Sequence, residues 1–407
     1  MGSSRWLETM DRRMQFVFRA EQGTETQTEL CAEFGIDRVT GWRWRQRWRE
    51  QRRVEDLADR SRRPLSHPRK TPDETEALVV ELRQRYGWGA RKLQHLLAER
   101  GIVLPASTIH RVVERHGLVP EEDSHRPAVK RFARERPNQL WQLDFKGVKK
   151  QYAPVDGKCS PFSTLDDCSR FGLCLSPLAE MSGEAVDRAM RETFERYGLP
   201  DQLLMDHGSP WWSTTNGHGL TWLSVGWMKQ GIELCQSGVR RPQTQGKVES
   251  FHRTLERMIR HRGAPRQCRD WEPFCAEFLA EYNYRRPHEA LEMKTPASCY
   301  QPSWRRYQAQ PPRWEYEVGA EVKKLNSAGC LDYRRGRFFV CEALANEEVS
   351  LEPLGPLLLV RFRRYYVREI NVKTGRTRPL TVSKHRHQKL YRDFAQAPEW
   401  PVGNQQT

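Results

Sequence analysis

Residues 141–145 read WQLDF, and this run indicates the fold class of the middle of the chain. Its apolar residues predict a buried strand, and Asp144 stands within it, where an unsatisfied carboxylate is costly. Further strands are predicted over 162–165, 171–175 and 202–205, and helices over 183–197, 244–260 and 271–284. Strands first, followed by alternating helix and strand, predict a mixed α/β domain over 138–300 whose sheet is covered by helices.

The chain ahead of this domain predicts two helical DNA-binding units. Apolar residues at three- and four-residue steps give a helix that ends before Gly23. A short helix over 26–34, a turn containing glycine and an Arg-rich helix over 38–53 follow, which is typical of a helix-turn-helix. An ordinary helical hairpin is the alternative. We predict DNA-binding domains over 1–58 and 71–118, with a proline-containing linker over 119–137.

The C-terminal part of the chain predicts a third kind of structure. From Glu317 to about Leu380, short alternating strands are separated by glycine turns. Such a pattern favours a small β-barrel, which we assign to a basic domain over 315–392. The expected fold class is therefore multidomain: all-α at the N-terminus, α/β in the middle and β at the C-terminus.

Positive charge is concentrated in the two flanks of the sequence. The chain has 68 Lys and Arg against 52 Asp and Glu, a net charge of +16. Residues 36–70 carry a net +7 and residues 361–392 a net +10, whereas 138–300 hold 21 basic and 20 acidic groups. This distribution favours a polyanion bound from both flanks over basic side chains that merely face solvent. Arg43, Arg45 and Arg47 alternate with tryptophans and are candidate DNA-binding residues.

No membrane segment is predicted. The longest clean apolar run, 357–360, is far short of the roughly 18 residues that a bilayer requires. The start of the chain leads into charged sequence without an apolar signal core. We therefore expect a cytoplasmic protein associated with the nucleoid.

Three acids of the middle domain are candidate catalytic residues. Asp144 lies within a predicted strand, Asp206 follows the strand over 202–205, and Glu249 opens a helix. Taken singly, Asp206 reads as a turn residue and Glu249 as a complement to the helix macrodipole. If the two strands and the helix N-terminus converge, the three carboxylates can hold two hard cations roughly 4 Å apart and promote attack at a phosphodiester.

Several stretches together resemble the insertion-sequence transposases whose catalytic domain is similar to that of retroviral integrases. The stretches are WQLDF at 141–145, LDDCSR at 165–170, DHGSP at 206–210, PQTQGKVE at 242–249 and YNYRRPH at 282–288. The resemblance implies a ribonuclease-H-like fold in which Asp144, Asp206 and Glu249 bind two Mg²⁺ ions, with Mn²⁺ able to substitute. It also implies cleavage of DNA at element ends and joining of the freed 3′ hydroxyl to target DNA, without ATP.

The sequence departs from this family at several points. Asp206 and Glu249 are 43 residues apart, longer than the common interval of about 35, and an inserted loop over 211–222 is the expected cause. His207 stands where Asn is frequent, and Arg241 where His is frequent. The zinc-binding domain of retroviral integrases has no counterpart in the sequence, so we expect the helical units to recognise DNA ends.

Other charged residues near the candidate site have competing interpretations. Asp166 and Asp167 are rival acids, but their position between two strands favours a turn over a metal site. Lys247 and Arg253 lie near Glu249 on one predicted helix and are candidate phosphate contacts, with a solvated helix face as the alternative.

The leading hypothesis is a DNA transposase that acts on the inverted repeats of an element and on target DNA. Because paired ends must meet, it implies a homo-oligomer, at least a dimer. The alternative is a non-catalytic DNA-binding regulator that retains an integrase-like core. A ribonuclease-H-like nuclease acting on RNA hybrids explains the three acids but leaves the two DNA-binding units without a role.

Overall fold

The computed structural model describes residues 2–59, 70–119, 133–213, 219–236 and 246–380. The chain divides into two units, residues 1–72 and 73–407. Three predicted features fall wholly or mostly outside the described residues: the linker, the start of the PQTQGKVE run, and the chain beyond 380. Among the helices that the structure describes, none combines the length and apolar character needed to cross a bilayer.

The first unit is a bundle of three helices, as predicted. They are α1 (Gly2–Gln22), α2 (Gln27–Glu33) and α3 (Arg38–Gln51). Thr26 and Glu29 form a capping box at the start of α2, and Asp37 caps α3 by accepting a hydrogen bond from the Val39 amide. Phe16 and Leu30 are fully buried between the helices, so the predicted helix-turn-helix has its own core.

The second unit begins with the other predicted helical domain. Its helices are α4 (Asp73–Tyr86), α5 (Ala90–Glu99) and α6 (Ala106–Arg115). Val79, Leu93 and Val112, one from each helix, are buried together in a single apolar cluster. The second predicted helical domain therefore has an apolar core of its own.

The middle domain consists of a mixed sheet and helices. Its strands are β1 (Leu140–Phe145), β2 (Ser160–Asp166), β3 (Gly172–Leu178), β4 (Gln202–Met205) and β5 (Glu233–Gln236), and its helices are α7 (Gly183–Tyr197), α8 (Trp222–Lys229), α9 (Gly246–Arg262), α10 (Trp271–Tyr284) and α11 (Pro296–Cys299). The strand order is β3-β2-β1-β4-β5, antiparallel from β3 to β1 and parallel from β1 to β5. This arrangement is ribonuclease-H-like, as expected.

Helices cover both faces of the sheet. On one face Trp141 and Phe162 pack with Phe194 of α7. On the other face Leu165 packs with Phe251 of α9 and with residues of α10. Because both faces are buried, the strands are predominantly apolar, and a carboxylate can stand only near the strand ends.

The C-terminal strands form an open sheet, and the predicted barrel is not confirmed. The strands are β6 (Glu321–Lys324), β7 (Cys330–Tyr333), β8 (Gly336–Phe339), β9 (Glu348–Leu354), β10 (Leu357–Phe362), β11 (Tyr365–Asn371) and β12 (Thr377–Pro379). Five of them pair in the order β12-β11-β10-β9-β6, and β7 and β8 form a separate hairpin. Leu331 and Phe338 of this hairpin pack into the same core as Val360. Within residues 315–380, the hairpin covers the sheet and the two short edge strands do not pair with each other.

Two helix glycines give a matched stability prediction. A Cβ at Gly41 would lie 2.6 Å from Cys31 Sγ and 2.7 Å from Phe16 Cζ, whereas a Cβ at Gly226 of α8 would meet nothing within 4 Å. We expect Gly41→Ala to destabilise the first unit by about 1–3 kcal/mol through overpacking. Gly226→Ala should stabilise the second unit by up to about 1 kcal/mol, since alanine favours a helix. Calorimetric unfolding of the full chain measures both, and equal shifts of the same sign would contradict the packing argument.

Candidate active site

Asp144 and Asp206 stand at the same level on neighbouring parallel strands. The register of β1 and β4 pairs Gln142 with Leu204, and each acid lies two residues further along its own strand direction. Because side chains alternate along a strand, both carboxylates point to the same side as that pair. The sequence pattern predicts an acid at each of two strands, and the structure places Asp144 and Asp206 on neighbouring strands at one level.

The Asp144 side chain is largely buried, with 24% of it exposed. Its Oδ1 accepts a hydrogen bond of 2.9 Å from the Phe145 amide. The pKa of Asp144 is raised to about 6, mainly by burial; the Phe145 hydrogen bond opposes this shift, and the negative charges of Asp206 and Glu249 contribute to it. A cation between these carboxylates would relieve their mutual repulsion, so the donor set fits a hard divalent ion.

Asp206 is oriented by the residues that follow it. Its Oδ1 accepts hydrogen bonds from the Gly208 amide at 2.9 Å and from Trp211 Nε1 at 3.0 Å. Trp211 is buried and stacks on Phe145, with ring centroids 5.3 Å apart. Sequence analysis treated 211–222 as an inserted loop, but Trp211 belongs to the core and holds Asp206 in place.

Glu249 lies in the first turn of α9 and is exposed. Its negative charge acts on the pKa of Asp144, so the two carboxylates are near enough to interact. Within the described residues, no group of three His, Cys, Asp or Glu side chains is close enough to form a metal cluster. Of the three predicted acids, Asp144 and Asp206 are in register, and Glu249 acts on Asp144 from the first turn of α9.

His252 is a neighbour of Asp144 to which sequence analysis gave no role. It is buried on α9, with Nδ1 3.6 Å from Asp144 Oδ2 and Nε2 2.6 Å from Ser163 Oγ. Ser163 Oγ in turn donates to the Asp144 carbonyl oxygen. Burial lowers the pKa of His252 to about 3, so the ring is neutral. The available signal was its position three residues after Glu249, on the packed face of the helix.

A buried polar cluster fixes the start of α9 to β1. We call it the clasp: Gln142, Asp167 and Lys247. Lys247 Nζ lies 2.5 Å from Asp167 Oδ1, and Asp167 is fully buried. The Gln142 side chain donates through Nε2 to the same oxygen at 2.7 Å, and its Oε1 accepts a hydrogen bond from the Val248 amide at 3.3 Å. The clasp therefore joins the strand of Asp144 to the residue that precedes Glu249.

The two rival acids have structural partners. Asp166 accepts hydrogen bonds from the Asn138 amide and from the amide and hydroxyl of Ser169. Asp167 belongs to the clasp and also accepts the Arg134 amide. The described contacts thus give both acids roles in the turn between β2 and β3, as their position indicated, and Asp167 an additional ionic role.

The five candidate DNA-binding residues divide into two groups. Arg43 on α3 and Arg253 on α9 are exposed. Arg45 donates to Gln27 Oε1 and Arg47 to the Ala58 carbonyl, so both help to hold the first unit together. Lys247 is engaged in the clasp, where burial lowers its pKa to about 8 and the bond to Asp167 opposes that shift. Phosphate contacts by all five residues stay predictions.

Comparisons with known families identify domains along most of the chain. A helix-turn-helix domain matches residues 12–64, and a homeodomain-like domain matches residues 40–113. Integrase core domains match residues 134–237 and 230–296. These matches confirm the resemblance to insertion-sequence transposases with an integrase-like core, and they assign the two helical units to DNA-binding families.

Viral relatives match the middle of the chain. The Gag-Pol polyprotein of baboon endogenous virus is 27% identical over 204 residues, 48% of this chain and 11% of that protein. The Gag-Pol polyprotein of woolly monkey sarcoma virus is 23% identical over 207 residues, 49% of this chain and 12% of that protein. The chain thus spans only about a tenth of the length of these relatives.

Solved structures of integrases are similar to parts of the chain. The catalytic core domain of BIV integrase is 21% identical and covers 40% of this chain and 93% of its own, with a TM-score of 0.31. The integrase catalytic core domain of HTLV-2 in complex with magnesium is 15% identical and covers 40% of this chain and 97% of its own, with a TM-score of 0.30.

Proposed function

We propose that this chain, which has the helix-turn-helix domains and integrase core of an insertion-sequence transposase, binds the ends of a DNA element and catalyses their metal-dependent cleavage and strand transfer. One observation carries the proposal: Asp144 and Asp206 stand at the same level on neighbouring parallel strands of the core, and the charge of Glu249, in the first turn of α9, acts on Asp144. The integrase-core matches support polynucleotidyl transfer as the reaction class.

Asp144, Asp206 and Glu249 would hold two Mg²⁺ ions, which supply a Lewis acid for the attacking and leaving oxygens of the phosphodiester. The chain's own residues orient these ligands. Trp211 and the Gly208 amide fix the Asp206 carboxylate, and the Phe145 amide fixes that of Asp144. Because the three ligands come from two strands and a helix end, the clasp is needed to keep Glu249 in reach.

Recognition of DNA falls to the flanking parts of the chain. The helical units would read the inverted repeats, while the basic C-terminal domain, with its open sheet, would bind DNA or another protomer. Two ends must be held together, so the active form would be at least a dimer working on the DNA of the cytoplasm. Magnesium and oligomers appear in the descriptions of solved relatives, and for this chain both are part of the proposal.

Arg43 gives a direct test of end recognition. It is exposed on α3 beside Trp42, of which 57% is exposed. We expect Arg43→Gln to weaken binding of an end duplex about tenfold, because one lost contact to a base edge or phosphate costs about 1–3 kcal/mol. Fluorescence anisotropy measures this change. Arg188→Gln on α7 is the control, since it removes the same charge from an exposed helix of the core. Equal affinities of the two variants for the end duplex would contradict the prediction that Arg43 of α3 contacts DNA.

The reaction itself is tested with labelled linear DNA that carries the element ends. Purified protein is incubated with Mg²⁺ or EDTA, and cleaved and joined products are resolved. Metal-dependent joining supports the transposase. End binding without cleavage at any divalent ion would favour the non-catalytic regulator.

A further inference from the structure

A cavity of about 540 Å³ lies between the second helical domain and the core. One wall is the turn after α4, with Tyr86 and Trp88, and the other is formed by α9 and α10. Polar contacts close the junction. They run from His261 Nε2 to the Gln84 carbonyl at 2.5 Å, from Arg262 to the Arg85 carbonyl at 3.3 Å, and from Lys92 to Glu289 at 3.3 Å.

Positive charge dominates this cavity, which we call the basic pocket. Its lining cations are Arg83, Lys92, Arg257, Arg260 and Arg286, and the lining histidines are His110 and His261. The acidic residue among the lining is Glu281, which is already ion-paired with Arg262. Glu289 pairs with Lys92, and Arg83 donates to the carbonyls of Gly87 and Trp88. Cations still outnumber acids in the lining, and an anion between them would lower their mutual repulsion.

Arg286 has a buried side-chain nitrogen without a hydrogen-bond acceptor among the described residues. Its guanidinium lies 5.8 Å from the centroid of the Trp88 ring, and among the described residues its buried Nε has no hydrogen-bond partner. Burial lowers the pKa of both Arg286 and Lys92, and the charge of Arg286 contributes to the shift at Lys92. A buried guanidinium nitrogen without an acceptor is costly, so an oxyanion in the pocket would be stabilising.

We propose that the basic pocket binds a phosphodiester group of the DNA held by the second helical domain. The inference rests on the proposed function. Phosphate suits a cluster of arginines because the guanidinium fork matches its oxygens. Tyr86 and Trp88 are stacked with ring centroids 4.5 Å apart and add an apolar wall for the adjoining sugar. Because Glu249 lies in the first turn of α9, a phosphate held near the other end of this helix sets the position of the duplex relative to the acidic site.

The test uses the full chain with Arg286→Gln and the rim variant Arg260→Gln. Arg285→Gln is the matched control, since Arg285 is exposed, adjacent in sequence and outside the lining. We expect each pocket variant to weaken end binding about tenfold and to lower the slope of log K against log salt by about one, the value for one lost phosphate contact. Arg285→Gln should keep the wild-type slope, and melting curves report whether each variant is folded.

The outcomes separate the pocket from the proposed function. If wild type joins ends while both folded pocket variants keep its affinity and slope, the pocket inference is overturned and the transposase stands. If wild type never joins ends, the proposed function fails. Titration with inorganic phosphate and with dAMP, monitored by thermal shift, forms the second arm. Stabilisation of wild type but not of Arg286→Gln, with unchanged DNA binding by the variants, would assign the pocket to a free phosphate compound and overturn the DNA inference.

Discussion

Asp144→Asn is expected to lower the rate of strand joining by at least about a thousandfold, roughly 4 kcal/mol of activation free energy. The change removes the negative charge that a divalent cation needs. It keeps the shape of the side chain, and the amide oxygen of Asn can still accept the hydrogen bond from Phe145 N. We therefore expect the variant to fold normally and to bind element ends with the affinity of wild type.

Joining is measured on labelled ends in Mg²⁺, and binding on the same duplex by anisotropy. Glu272→Gln is the control, because this substitution also removes one carboxylate from the same domain. Glu272 is an exposed acid in the first turn of α10. This control should join at the wild-type rate. An Asp144→Asn protein that joins ends as fast as Glu272→Gln would mean that Asp144 is no metal ligand.

The second large effect is expected from the clasp. Lys247→Met leaves the fully buried Asp167 without its cation, and removing one partner of a buried ion pair costs about 3–5 kcal/mol. We expect a loss of stability of that size, together with slower joining, because the start of α9 loses its ion pair and keeps the hydrogen bond to Gln142. The double variant Lys247→Met, Asp167→Asn should recover part of the stability, since no buried charge is left unpaired.

A more exposed ion pair that also involves α9 provides the comparison for the stability loss. Lys149 Nζ lies 2.6 Å from Glu256 of α9, and 60% of the Lys149 side chain is exposed. Lys149→Met should therefore change stability by no more than about 1 kcal/mol. Chemical unfolding gives the free energies, and the Mg²⁺ concentration for half-maximal joining shows whether Glu249 has moved. A Lys247→Met protein with wild-type stability and Mg²⁺ dependence would contradict the role of the clasp in stabilising the fold and positioning Glu249.

Most of the core could be predicted from local patterns. β1 and β4 occupy the predicted residues, and α7 begins and ends where the apolar spacing and Gly198 indicate. β5 and α8 were missed, because a four-residue strand and an eight-residue helix interrupted by Gly226 give too little periodicity. The β-barrel was inferred from turn spacing, which predicts strands but carries no information on whether their sheet closes.

The candidate site was predictable at its acids and not around them. Asp144 and Asp206 follow from strand ends, since parallel neighbours place such residues together. The partner of Lys247 lies 80 residues away in sequence, and Trp211, which bonds to Asp206, is placed by its stacking on Phe145 of β1. Such contacts arise from tertiary packing, so the sequence favoured a phosphate for Lys247 and a surface loop for Trp211.

The most direct test compares the joining rates of Asp206→Asn and Glu249→Gln with that of the Glu272→Gln control, all at saturating Mg²⁺ on identical ends. The account predicts that both site variants bind ends and lose joining by at least about a thousandfold while the control joins normally. Joining by Glu249→Gln at the control rate would contradict the assignment of Glu249, and joining by both site variants would contradict the acidic site as the centre of the reaction.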